Sequence, residues 1–213
     1  MRKITINLAA VAAFCIVVAS PALVSSSCAT PQTEQEDTTI IREDLGITAL
    51  KYSSPEVPSS IEFCGKVIDL SRFDRHERMD RELLAFTYMH STSLQMLKKA
   101  NRYFPIVEPI LKENGIPDDF KYLMVIESNM NPTARSSAGA AGLWQFMQGT
   151  GRDYGLEVNN NVDERYHIEK ATRAACRYLK DAYAKYKDWV AVAASYNAGQ
   201  ARIASQLAKQ DVR

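Results

Sequence analysis

An all-α domain behind an N-terminal extension is the fold class this sequence predicts, and three observations carry the prediction. From about Asp74 onward apolar residues recur at three- and four-residue intervals, the spacing that lines one face of a helix. No run in that stretch alternates apolar and polar side chains as a half-buried strand would. Breakers (Gly115 with Pro117, Asn129 to Pro132, Gly155) then divide the periodic stretches into helix-sized pieces.

The chain has 213 residues, enough for one domain of ordinary size plus the extension. Residues 1–27 read as a signal peptide. Arg2 and Lys3 supply the positive start, Leu8 to Val18 is almost unbroken apolar chain, and Ser25-Ser26-Ser27 follow. A retained membrane anchor is the weaker reading, because a bilayer span needs about 20 apolar residues. Cys28 after the serines resembles a lipoprotein processing site and is the candidate lipidation residue, although Ser25 stands where such sites usually carry Leu. Ordinary cleavage, releasing a soluble exported protein, is the alternative. Residues 28–60, rich in Thr, Ser, Gln, Glu and Pro, have the composition of a flexible linker. Residues 61–115 are expected to form an N-terminal helical segment, and 116–213 the domain that carries the chemistry.

Within 61–115, Leu83, Leu84, Phe86 and Tyr88, then Leu94, Met96 and Leu97, mark the buried face of one helix or of a broken pair. Tyr103 to Asn114 reads as a short helix that Pro109 should kink. Gly115 ends it by accepting a left-handed conformation, and Pro117 blocks continuation. Asp118 and Asp119 then put negative charge at the start of the next helix, where the macrodipole favours it. That helix runs through Tyr122, Leu123, Val125 and Ile126 to Glu127. After a small-residue loop at Ser136-Ser137-Ala138-Gly139, a helix is expected from about Ala140 to Tyr154. A polar loop, Glu157 to Arg165, leads to an amphipathic helix over Ile168 to Tyr186. Its Ala171, Ala174, Ala175, Tyr178, Leu179 and Ala182 share one side. Trp189 to Tyr196 and Ala201 to Lys209 complete the helices.

Charge and cysteines narrow the function classes. Without Arg2 and Lys3 the chain carries 24 basic and 25 acidic side chains, a balance that gives no support to nucleic-acid binding. Cys15 lies in the signal and Cys28 at its end, leaving Cys64 and Cys176, whose pairing the spacing leaves open. His76, His90 and His167 are scattered, no Cys/His grouping has metal-ligand spacing, and no cofactor is expected.

The chemistry centres on Glu127, in the run Val125-Ile126-Glu127-Ser128-Asn129. A carboxylate at the end of a half-buried helix is poorly solvated in its charged form, so its pKa should rise toward neutrality. An acid still protonated near pH 7 can donate its proton to a leaving oxygen, as glycosidic bond cleavage requires. Negative charge also opposes the dipole at a helix C-terminus, and residues placed against local preference are more often functional.

Further blocks follow in order: Ser136, Gly139-Ala140-Ala141-Gly142-Leu143-Trp144-Gln145-Phe146-Met147, Thr150 to Leu156, Val162-Asp163-Glu164-Arg165, and Ala194-Ser195-Tyr196-Asn197-Ala198-Gly199. Together they resemble the catalytic domain of the lytic transglycosylases, a lysozyme-like helical fold, over about Ile116 to Gln206. Within that family the membrane-bound lytic murein transglycosylase D group is most similar. The resemblance implies that Glu127 is a single acid/base acting on the bond between N-acetylmuramic acid and N-acetylglucosamine in peptidoglycan, with 1,6-anhydro ends as product. It also implies that Ser136, Gln145, Met147, Tyr196 and Asn197 bind substrate. Ser136 would hydrogen-bond Glu127 or sugar, the Tyr196 hydroxyl would orient the acid, and Asn197 would fix its loop or contact sugar amides. Trp144 is equally a core residue. A monomer in the cell envelope, periplasmic or lipid-anchored, is the implied setting.

Two alternatives stay open: a goose-type lysozyme, which would hydrolyse the same bond with a second carboxylate, and a non-catalytic peptidoglycan-binding relative. Lytic transglycosylases normally continue past the Tyr-Asn-Ala-Gly block into a Glu-Thr-x-x-Tyr-type segment that closes the cleft. Here 14 residues follow Gly199 without it, so the C-terminal part of the domain is expected to be missing.

Overall fold

A computed structural model describes residues 54–209. The signal peptide, Cys28, most of the linker and residues 210–213 lie outside the described residues. The first described elements are strands. β1 (Ser60–Phe63) and β2 (Lys66–Asp69) form an antiparallel hairpin with Ser60 opposite Asp69 and Phe63 opposite Lys66. Cys64 and Gly65 make its two-residue turn at φ +52° and +77°, the left-handed backbone that tight hairpins need. The expectation that residues 61–115 are helical is corrected here: helix begins only at Phe73. Four-residue strands are too short to show alternation as a pattern. The hairpin is held by Ile61 and Ile68 against Leu70, Met79 and Leu83, and by Asp119, whose Oδ2 accepts the Cys64 amide at 2.6 Å.

Helix α1 (Phe73–Tyr88) and helix α2 (His90–Glu113) resolve the open question of one helix or two, breaking at Met89. The short helix expected from Tyr103 is the second half of α2, which runs continuously through Pro105 and Pro109. Both prolines are solvent-exposed, on the side where water can satisfy the carbonyls their missing N–H groups release. Gly115 ends the segment at φ +64°.

A single 3-10 turn (Asp118–Phe120) leads into α3 (Lys121–Ser128). After it the expected helix from Ala140 is replaced by irregular chain, and α4 covers only Gln148–Asp153. The reason is backbone conformation. Gly139, Gly142 and Gln145 hold φ of +89°, +79° and +49°, which no right-handed helix accommodates. Isolated antiparallel bridges, Arg135 with Ala141 and Ala141 with Phe146, stand in for helical bonding.

A second 3-10 turn (Glu164–Tyr166) precedes α5 (Ile168–Tyr186), then α6 (Trp189–Ala198) and α7 (Gln200–Lys209). Helix α5 has the bounds the sequence predicts and is the axis of the core. Its Ala171, Ala174, Ala175, Leu179 and Ala182 are all but fully buried. The methyl side chains let neighbouring helices approach closely, and Val107 and Leu111 of α2, Leu123 and Met124 of α3, and Val192 of α6 join the same core. Among the described residues no helix is long and apolar enough to cross a membrane.

Candidate active site

Glu127 occupies the last turn of α3, half-buried, just after the buried run Tyr122 to Val125. The helix stops because Asn129 and Met130 both turn to positive φ, +51° and +52°. Met130 is then drawn into the core with no exposed surface, which holds the helix end, and Glu127 with it, against the interior. Loss of water around the carboxylate lifts the Glu127 pKa from 4.5 to about 7. Asp163 and Glu164, each hydrogen-bonded by a cation and a backbone amide, move the opposite way.

Two tyrosines face this acid from other helices. Burial first, and then the Glu127 charge, push the Tyr196 hydroxyl well above its ordinary pKa, and Tyr178 also senses the Glu127 charge. The Tyr178 and Tyr196 rings meet edge to face at 5.2 Å, with Tyr154 beyond at 5.3 Å from Tyr178. The Tyr196 hydroxyl donates its proton to the Trp144 carbonyl at 2.8 Å. Its one proton ties α6 to the loop after Gly139, so toward the acid the hydroxyl can act only as an acceptor.

That loop is joined to the site through Tyr196. Ala141 N–H donates to the Phe146 carbonyl at 3.0 Å and Gly142 N–H to the Ala134 carbonyl at 2.9 Å. Gln145 Nε2 donates to the carbonyls of Gly142, at 2.8 Å, and Ala134, at 3.3 Å. Its amide protons therefore shape the loop, and only its carbonyl oxygen is left to meet a ligand. Ser136 Oγ accepts the Ala140 amide at 3.0 Å, so this hydroxyl closes a turn. Met147 is 45% exposed at the loop's end, and Asn197 is half-buried beside Tyr196. A surface hollow of about 930 Å³ lined by Pro105, Glu108, Pro109, Lys112 and Ile116 shares no residue with this site. Among the described residues no group of three His, Cys, Asp or Glu side chains is arranged to hold a metal ion. Among the described residues Cys64 and Cys176 are not joined by a disulfide.

The stretch that builds this arrangement is also the one shared with known proteins. The transglycosylase SLT domain family matches residues 105–213. The chain belongs to that family. It is 30% identical over 138 residues to the membrane-bound lytic murein transglycosylase D of Escherichia coli (strain K12), an alignment covering 64% of this chain and 30% of that protein. It is 33% identical over 93 residues to the peptidoglycan transglycosylase gp16 of Escherichia phage T7, covering 42% of this chain and 7% of that protein. The chain thus spans less than a third of the lytic transglycosylases it matches.

Two residues of the SLT domain's interior escaped the sequence reading. Arg165, taken only as part of a shared block, is 1% exposed and packs under the loop. Tyr178, taken as part of α5's apolar side, senses the charge of Glu127. A charged residue between Asp163 and a helix start looks like surface, and nothing local distinguishes it. Trp144 is settled as core: fully buried, its Nε1 donates to Thr172 Oγ1 at 3.0 Å, and that hydroxyl donates to the Ile168 carbonyl at 2.7 Å. Thr172→Val keeps the shape and leaves the Trp144 N–H buried without an acceptor, at a cost of roughly 1–3 kcal/mol. Urea unfolding should show that loss, while Thr172→Ser should recover most of it.

Proposed function

We propose that this chain is a peptidoglycan lytic transglycosylase in which Glu127 is the single acid/base. The observation that carries the reading is an acid lifted to about 7 by burial in an SLT domain, its charge sensed by Tyr178 and by Tyr196, which is bonded to the loop from Gly139 to Met147. At neutral pH such a group is divided between its two forms, so it can both give and take a proton.

In the proposed reaction the protonated Glu127 donates to the oxygen linking N-acetylmuramic acid to N-acetylglucosamine, and that bond breaks. The N-acetyl carbonyl oxygen of the muramic acid closes on its own anomeric carbon and carries the positive charge. The Glu127 carboxylate then takes the proton of the C6 hydroxyl, whose oxygen displaces the acetyl oxygen at the anomeric carbon. The product has a 1,6-anhydro end, Glu127 is protonated again, and no water is consumed. An internal nucleophile brings an effective-concentration advantage that external water lacks.

Support for one acid over two comes from the other carboxyls. A hydrolase uses a pair flanking the scissile bond, whereas Asp163 is engaged by Arg165 and Glu164 by Lys170 and the Glu157 amide. Gln145, Met147, Asn197 and Ser136 would line the glycan path around Tyr196. Placement in the cell envelope, through lipidation of Cys28 or as a periplasmic monomer, accords with a peptidoglycan substrate.

Digestion of purified sacculi followed by mass spectrometry tests the proposal. Fragments one water lighter than the hydrolysis product are the expected result. Reducing ends would instead support the goose-type hydrolase, and binding without release the non-catalytic relative.

A further inference from the structure

The Asp163–Arg165 pair belongs to the shared sequence blocks, yet the acid chemistry above makes no use of it. Its geometry is specific. Arg165 Nε and Nη2 donate to the two carboxylate oxygens of Asp163 at 2.8 and 2.6 Å. Nη1 donates to the carbonyls of Gly139, at 2.8 Å, and Phe146, at 2.9 Å. Gly139 and Phe146 are the two ends of the irregular loop that replaces the expected helix. One guanidinium therefore joins both ends of the loop and is itself anchored by a carboxylate. The Arg165 main chain seals the middle, since a Cβ on Gly142 would lie 1.9 Å from the Arg165 carbonyl oxygen.

A buried ion pair is weak evidence for stability, because well-packed apolar side chains often serve as well. What a guanidinium adds is a planar fork whose donors can meet a carboxylate on one edge and two carbonyls on the other. The loop it shapes carries Gln145 and Met147 and presents the Trp144 carbonyl to Tyr196.

We propose that Arg165 is a positioning residue for glycan binding: it sets the form of the loop from Gly139 to Met147, and so the placement of Gln145 and Met147 against the sugar chain. The inference rests on the lytic transglycosylase reading and extends it to a residue that touches no substrate. Lysine cannot replace it, since a compact ammonium does not span both carbonyls and the Asp163 fork.

The test compares Arg165→Lys, Asp163→Asn and the core variant Leu111→Ala with the parent, using soluble glycan strands prepared from peptidoglycan. For Arg165→Lys, KM should rise about tenfold or more, in line with the cost of small misplacements around a site, with kcat and the pH profile kept. The Ala141 and Gln145 amides should exchange hydrogen faster. Asp163→Asn, which leaves the guanidinium in place, should shift KM in the same direction by less. Leu111→Ala should lower Tm at least as much as Arg165→Lys and leave KM and those two amides as in the parent. An unchanged KM in both loop variants, a fall in kcat alone, or a KM rise in Leu111→Ala as well would overturn the proposal. If the parent releases no fragments, the lyase reading fails. Affinity for the same strands, measured by co-sedimentation, then decides the Arg165 proposal by whether the two loop variants weaken it.

Discussion

Glu127→Gln is expected to abolish release of glycan fragments, a loss on the order of 10³-fold or more, while binding of glycan strands persists. Positioned proton transfer supplies about 10² to 10⁴ in rate, and here one group carries both transfers. The amide keeps the shape and polarity of the acid but has no acidic proton to transfer. The same substitution has a stability signature whose sign follows from the raised pKa. In the unfolded chain the carboxyl ionises near 4.5, in the folded one near 7, so the folded state binds more protons between those values. Stability associated with the neutral acid is complete below pH 4.5 and is lost as pH rises through 7. Parent and variant should therefore unfold alike in mild acid, and the variant should become the more stable at pH 8. The full gap corresponds to at most about 3 kcal/mol, or roughly 6 to 12 °C in Tm at this size. Thermal unfolding at pH 4.5, 6 and 8 measures it. A Tm difference that stays constant across that range would remove the buried acid from the account. In the parent, kcat/KM should fall above about pH 7, because the first transfer needs the protonated form.

Gly142→Ala is expected to have the largest structural effect of any single-methyl change in the domain. The added Cβ would meet the Arg165 carbonyl oxygen at 1.9 Å and its carbon at 2.8 Å, and φ is +79°. Neither neighbour is the tip of a flexible side chain, so the main chain must move. Strain at a left-handed non-glycine position alone costs about 1–3 kcal/mol. With the clash added, a loss above roughly 3 kcal/mol is expected, lowering Tm by about 6 °C or more. Gly149→Ala, a few residues on, is the matched control. It lies inside α4 with nothing within 4 Å of the new methyl, so the substitution should leave Tm unchanged or raise it slightly through the lower entropy of the unfolded chain. Equal effects of the two substitutions would contradict the close approach of Arg165 to the loop.

Where reading the chain succeeded and where it failed follow from range. Helix α5 was legible because its alanines and Leu179 repeat at helical spacing, a signal contained in about 20 consecutive residues. The acid was legible for a similar reason: Glu127 ends an apolar run, and burial of that run brings burial of its last member. The hairpin was not legible, since four-residue strands show little alternation and are held by Met79, Leu83 and Asp119, which are remote in sequence. The helix expected from Ala140 failed because its apolar spacing suits a helix. Three positive-φ residues bend the chain, main-chain bridges replace the helical bonds, and Arg165, some 20 positions away, ties the loop ends together.

The sequence therefore settled the buried side of α5, which carboxyl stands in apolar company, and which family the chain belongs to, but not the buried face of α1 and α2, where Leu84 and Leu94 turn out exposed. The settled features are properties of neighbouring residues and of short blocks. The fold decided what the site's polar groups bond to: Tyr196 to the Trp144 carbonyl, Gln145 to its own loop, Arg165 to both loop ends. Hydrogen bonds are directional and reach only about 3 Å, so their partners exist only once distant segments have been brought together.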